Sequence, residues 1–284
     1  MTDRTRGDLC PGVLRPWPAD DGALVRLRLP GGHLGRTTLT SLLDVAETYG
    51  DGRVHLTKRA NLQLRALPSI DGALPDEVVE AIRATGLLPH PAHELVRNVL
   101  VSPLTGLVGG RADLRPITRE LDERMCATPS LADLSGRFLL VLDDGRGDLT
   151  SRSTDLGLVA LSEDTAQLRV GSDRWGPVVP LSEAAAALTE LAQDFQEVRG
   201  AAWHVDEVPG FRPSQEPDPR ALVSSGPPAY GEVVPGVAHV PIEGGVVERN
   251  VACTLGEQLV VTPWKSLLSL GPSLIETPAH SLVE

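Results

Sequence analysis

Two distant segments of this chain repeat one another, and that repeat restricts the fold more than any other feature. Val237-Ala-His-Val-Pro-Ile-Glu-Gly-Gly245 echoes Leu24-Val-Arg-Leu-Arg-Leu-Pro-Gly-Gly32. Leu259-Val-Val-Thr-Pro-Trp-Lys265 echoes Val54-His-Leu-Thr-Lys-Arg59. A strand closed by a Gly-Gly turn and followed by a second strand therefore occurs near both ends of the chain. The spacing differs: Gly32 to Thr57 is 25 positions, but Gly245 to Thr262 is only 17. The shortfall equals about two helical turns, so the second copy is expected to carry a shortened crossover helix.

In the first copy, residues 23–29 alternate apolar and basic side chains, the mark of a half-buried strand that Pro30-Gly31-Gly32 ends. Thr37 or Thr38 can cap a helix whose Leu39, Leu42, Leu43 and Ala46 share one face, with Gly50 as its stop. One long strand from Arg53 to Leu67, a turn at Ile70-Asp71-Gly72 and a helix from Asp76 to Thr85 complete a strand–helix–strand–helix unit. That order describes a ferredoxin-like half-domain over residues 1–95.

Residues 96–205 read as a mixed α/β unit. It has a helix with Ile117, Leu121 and Met125, strands at Arg137–Asp143, Leu156–Ser162 and Ala166–Val170, and an amphipathic helix capped by Ser182. Residues 206–236 are proline-rich and predict an extended connector; residues 237–284 then form the degenerate second half-domain. The fold class is α+β.

Charge is unevenly placed. The net charge is −12, yet residues 1–124 balance 16 basic against 16 acidic side chains, so the remainder carries the whole excess. An acidic chain repels nucleic acid, and an anion-binding surface is expected in the first half. No run of 18 apolar residues is present and the N-terminus is polar, which predicts no membrane span, no secretory leader and a cytoplasmic location. Cys10, Cys126 and Cys253 are too few and too far apart for a disulfide framework or a metal-ligand pattern.

The segment 53–66 is the most informative. As one strand, it places Val54, Leu56, Lys58, Ala60, Leu62, Leu64 and Ala66 on one face. Arg53, His55, Thr57, Arg59, Asn61, Gln63 and Arg65 fall on the other, a face of donors without a carboxylate. Arg26 and Arg28 share a face of the neighbouring strand. A solvated sheet face normally mixes both signs of charge; this one is suited to an anion, because guanidinium forks pair bidentately with carboxylates.

These residues also carry a family resemblance. Arg26-Leu-Arg28-Leu-Pro-Gly-Gly32, followed by His55-Leu-Thr57-Lys-Arg59-Ala-Asn61-Leu-Gln63, resembles the first half-domain of siroheme-dependent nitrite and sulfite reductases. Arg97-Asn98-Val99 and Arg137-Phe138 look like that family's later basic motifs. The resemblance implies that Arg28 and Arg97 face the substrate. It also implies that Arg26, Thr57, Arg59, Asn61, Gln63, Arg65 and Arg137 hold a siroheme-like tetrapyrrole or its carboxylates. Leu139 stands where the reductases have a further lysine. Cys10-Pro-Gly-Val-Leu-Arg-Pro16, Ser102-Pro-Leu-Thr-Gly106 and Thr262-Pro-Trp-Lys-Ser-Leu-Leu268 resemble the precorrin-3B synthase branch of cobalamin biosynthesis.

One departure matters. Family members ligate a [4Fe–4S] cluster through four cysteines, and three scattered thiols do not make that set. The resemblance therefore implies a truncated or cluster-less synthase, or one whose partner chain supplies the cluster. A non-catalytic tetrapyrrole-binding module and a siroheme reductase fragment are the alternatives, and catalysis by this chain alone stays open. Gly109-Gly110 and Ser224–Pro228 read as turn and linker, His90 and His93 as loop residues without further metal ligands, and Asp143-Asp144-Gly145 as a solvated turn.

Overall fold

A computed structural model of the chain describes residues 7–271. Strands β1 (Trp17–Ala19), β2 (Gly22–Leu27) and β3 (His33–Gly35) precede helix α1 (Arg36–Tyr49), strands β4 (Val54–Leu56) and β5 (Leu62–Leu67), and helix α2 (Asp76–Ala84). The middle unit holds β6 (Val99–Val101), α3 (Arg115–Ala127), β7 (Leu140–Asp143), β8 (Leu156–Ala160), β9 (Thr165–Val170), β10 (Arg174–Pro180) and α4 (Leu181–Val198). The last unit contains β11 (Gly231–Val234), β12 (Val237–Val240), β13 (Val246–Val247), α5 (Arg249–Ala252), β14 (Gln258–Val261) and β15 (Leu267–Leu270).

The repeat is a full structural one. The first sheet has the order β1-β2-β5-β4-β13 and the last β11-β12-β15-β14-β3, so each copy lends its short third strand to the other's sheet. β3 pairs with β14 from His33 to Gly35, and β13 pairs with β4 at Val246 and Val247. The two half-domains are therefore interlocked, with one shared apolar core that reaches from Val25 and Leu43 to Leu259 and Leu267. Gly32 permits the crossing: its φ is 75°, and a Cβ there would stand 2.4 Å from the Val261 carbonyl oxygen. The crossover helices have 14 and 4 residues, the shortening that the repeat spacing predicts.

The same exchange corrects the expected helix cap. α1 begins at Arg36, one residue before Thr37, because β3 runs straight into it and the Arg36 N–H donates to the Glu257 carbonyl at 2.9 Å. Likewise α4 starts at Leu181, whose N–H donates to the Asp164 carbonyl, and Ser182 is not its cap. In both cases tertiary backbone partners satisfy a helix-end donor that a side chain would otherwise take.

The single strand expected over Arg53–Leu67 is instead two antiparallel strands, with His55 opposite Gln63 and Leu56 opposite Leu62. The turn between them has no glycine or proline. Ala60 adopts φ 55°, and the Thr57 hydroxyl accepts the Asn61 N–H at 3.1 Å. The second copy repeats this device, with Lys265 at φ 60° and the Thr262 hydroxyl accepting the Ser266 N–H. Threonine at the turn's start, not a left-handed residue type, is what the two copies share.

The middle sheet runs β10-β9-β8-β7-β6, parallel from β6 to β8 and antiparallel beyond. Both of its faces are covered at the parallel edge. Val99, Val101, Leu140 and Leu142 pack with the helix residues Leu121, Leu188 and Phe195, whereas Leu100 and Val141 enter the half-domain core. Two-sided burial explains why Leu140–Asp143 and Leu156–Ala160 are buried without alternation. The proline-rich stretch is no free connector: β11 lies inside it, and the Gln215, Asp218 and Ser225 amides bond back to Trp175, Gln167 and Gly147. The Asp143-Asp144 turn is buried, not solvated, because Asp143 accepts the Gly145, Gly147 and Leu149 amides.

Candidate anion-binding site

Four backbone segments meet where the first half-domain faces the middle sheet. They bring Arg26 and Arg28 from β2 and its end, Arg59 from the β4–β5 turn, Arg97 from before β6, and Arg137 from before β7. Arg26, Arg28 and Arg97 line one narrow pocket with His90 and Glu94. Arg59 and Arg137 line a neighbouring open cavity of about 290 Å³. The Cys10-Pro11 segment runs close to both groups. The Pro11 carbonyl accepts from Arg28, and the Cys10 β-carbon packs against Gly136, next to Arg137.

Arg28 is only 3% exposed, yet among the described residues its Nε and Nη2 have no hydrogen-bond partner, and neither does Nε of Arg26. Burial holds the Arg28 pKa down to about 10, and the adjacent Arg26 adds to this. Burial lowers Arg26 and Arg59 as well. Among the described residues, none of Arg26, Arg28, Arg59 and Arg137 is in an ion pair. Arg26 reaches Gln63 at 3.4 Å, Arg59 reaches the Gly136 carbonyl at 3.5 Å, and Arg137 lies over the Trp203 ring at 5.0 Å. Buried cationic groups are normally paired; buried donors left open are where an anionic ligand's oxygens would be received.

Arg97 differs. Its Nε and Nη2 bind the two oxygens of Asp122 at 2.7 and 2.6 Å, and these contacts outweigh burial in raising its pKa. Arg97 therefore shares the pocket with Arg28 but arrives already neutralised. Glu94, the pocket's carboxylate, accepts the Val13 and Leu14 amides and fixes the N-terminal segment. That clamp requires Gly12, where a Cβ would fall 2.4 Å from a Glu94 carboxylate oxygen.

The family model for the nitrite/sulfite reductase ferredoxin-like half domain matches residues 18–71, the segment that supplies Arg26, Arg28 and Arg59. The structure of the NirA protein of Mycobacterium tuberculosis superposes with a TM-score of 0.61 at 19% identity, over 95% of this chain and 58% of that one. A precorrin-3B synthase from Sinorhizobium sp is 32% identical over 164 residues, which is 55% of this chain and 33% of that protein. Residues 18–71 thus carry the nitrite/sulfite reductase ferredoxin-like half domain, and the whole described chain shares the fold of a solved member of that superfamily. A ferredoxin–nitrite reductase of Synechococcus elongatus is 29% identical over 174 residues, 56% of this chain and 33% of its own length. The chain thus spans about a third of the curated superfamily relatives it matches.

Within this superfamily fold, the turn at Thr57–Ala60 breaks the strand parity on which the donor face rested. Asn61 is 1% exposed; its Oδ1 accepts the Leu29 N–H and its Nδ2 donates to Asn98, so it ties segments together. Thr57 is occupied by its turn. Arg65 is bound by Asp21 at the outer edge of the sheet. Gln63 stays beside Arg26. Two groups escaped the sequence reading altogether, Asp155 and His204, which line the cavity with Arg59 and Arg137. Their 49-residue separation leaves no local signal.

Proposed function

We propose that this chain is a precorrin-3B synthase-like protein that binds an anionic tetrapyrrole across the Arg26, Arg28, Arg59 and Arg137 cluster. The observation that carries the proposal is the set of buried Arg26 and Arg28 nitrogens without partners among the described residues, in a narrow pocket next to the open cavity that Arg59 and Arg137 line. A tetrapyrrole with several carboxylates offers the matching chemistry: separated acceptors on one rigid, apolar ring. Each charge-assisted bond to such a group contributes roughly 1.5–3 kcal/mol. The similarity to a precorrin-3B synthase supports the choice of branch.

The residues do not fit an iron–sulfur cluster. A [4Fe–4S] centre needs four thiolates, and this sequence has three cysteines. Cys253 is exposed, and Cys10 and Cys126 lie in different units. Among the described residues, no group of three His, Cys, Asp or Glu side chains is placed to hold a metal. Ligand binding is accordingly the role proposed for these residues, and a cluster would need thiolates other than these three. No helix among the described residues is long and apolar enough to cross a membrane.

The test is fluorescence titration with uroporphyrin, a polycarboxylate porphyrin. Arg59→Ala should weaken binding at least tenfold, while replacement of the exposed Lys58 in the same turn should leave affinity nearly unchanged. Added salt should weaken binding further. No binding by the unaltered chain, or equal losses at Arg59 and Lys58, would overturn the proposal.

A further inference from the structure

The cavity beside Arg59 and Arg137 holds a histidine–aspartate pair whose geometry differs from a structural one. Asp155 is 2% exposed. Its Oδ1 accepts the Val205 N–H at 2.9 Å and its Oδ2 the Leu139 N–H at 2.8 Å. Both oxygens also face His204 Nδ1, at 3.2 and 3.3 Å. Two backbone amides therefore fix the carboxylate, and the carboxylate fixes the ring. A carboxylate only accepts, so Nδ1 carries the hydrogen and Nε2 is the titrating nitrogen.

Among the described residues Nε2 of His204 has no partner, and the side chain is 37% exposed, so it exchanges protons with the cavity's solvent. His239 shows the contrast. It is 1% exposed, with Nδ1 on the Pro228 carbonyl and Nε2 on Ser266, a ring used wholly for structure.

We propose that His204, oriented by Asp155, is a proton-switched carboxylate-binding group that completes a three-cation site with Arg59 and Arg137. The ligand class is a carboxylate; that it belongs to a tetrapyrrole rests on the function proposed above. Neutral His204 presents a lone pair to the incoming oxygen and repels it. Protonated at Nε2, it donates to it. Affinity therefore rises as His204 gains its proton.

The surrounding charges agree. The hydrogen bond to Asp155 raises the His204 pKa against the opposing effect of burial; Asp155 and Glu207 add to the rise and Arg59 opposes it. The cavity's other carboxylates are engaged. Asp206 accepts the Ser172 amide and meets Arg174, and Glu207 accepts the Trp203 N–H. Arg137 stands over Trp203 and lines the cavity.

The experiment follows the His204 ring by NMR in the full chain, without ligand, with citrate as a small carboxylate probe, and with uroporphyrin. A bound carboxylate should raise the His204 pKa by about one pH unit, the linkage counterpart of tenfold tighter binding to the protonated form. Uroporphyrin affinity should fall as pH rises through that pKa, and His204→Gln should remove this dependence while leaving His239 unshifted. Asp155→Asn should move the dependence to lower pH; if that variant fails to fold, His204→Gln carries the test alone. A citrate-induced shift without uroporphyrin binding would retire the tetrapyrrole and keep the carboxylate site. Uroporphyrin binding with an identical pH profile in His204→Gln would overturn this inference and keep the platform. No shift with either probe would overturn it as well.

Discussion

Asp148 offers the sharpest test of the buried acidic turn that closes the middle sheet. Asp143, Asp144 and Asp148 are each at most 5% exposed, and Arg146 is the cation placed among them. Arg146 is committed to Asp144, at 2.9 and 2.7 Å. It stands 3.8 Å from Oδ2 of Asp148, near enough to attract but too far for a hydrogen bond, and among the described residues that oxygen has no hydrogen-bond partner. Burial, with the neighbouring Asp143 and Asp144 charges, pushes the Asp148 pKa from 3.8 up to about 7. The folded state therefore binds a proton more tightly than the unfolded chain. The stability this contributes is complete below about pH 4 and is lost as pH rises toward 7. At pH 8 the ionised form costs on the order of 4 kcal/mol. Asp148→Asn keeps an oxygen to accept the Ser102 hydroxyl, which lies 2.7 Å away, and removes the charge. Urea denaturation at pH 5 and pH 8 should show the variant more stable by roughly 2–4 kcal/mol at pH 8, with a much smaller difference at pH 5. Asp143 titrates upward too, so the difference between the two proteins is the quantity that isolates Asp148. Parallel pH profiles for both would refute the charge assignment.

Asn61→Ala should destabilise the chain by roughly 2–4 kcal/mol, because it leaves the buried Leu29 N–H and Asn98 amide oxygen without their partner; a change below 0.5 kcal/mol in denaturant melts would show that water replaces it. Trp264 stands where the first copy has Arg59 and is only partly buried, beside an open cavity with Tyr230. Trp264→Ala should lower stability by about 1–3 kcal/mol and leave uroporphyrin affinity unchanged, since its copy lacks arginines at the matching positions His239 and Pro241; lost affinity in a stable variant would reverse that assignment.

The repeat, the half-domain order and the shortened second helix were all legible in the sequence, because each depends on local spacing and periodicity that the chain carries along its length. Arg26, Arg28 and Arg59 were legible as cations for the same reason. What the residues do once folded was another matter. The turn at Ala60 was hidden because a threonine hydroxyl and the paired strands impose a left-handed backbone on an ordinary residue. That single reversal turned Asn61 from a surface donor into a buried clip. Strand exchange between the copies was equally hidden, since β3 and β13 are too short to announce a partner. Charge state also belongs to the tertiary structure: Arg97 and Arg28 look alike in sequence, but only Arg97 meets an aspartate. Asp155 and His204 became a pair through the middle sheet, which anchors Asp155 by the Leu139 and Val205 amides on either side of it. Sequence pattern determines which elements form; long-range packing decides which polar groups are satisfied and which remain open to a ligand.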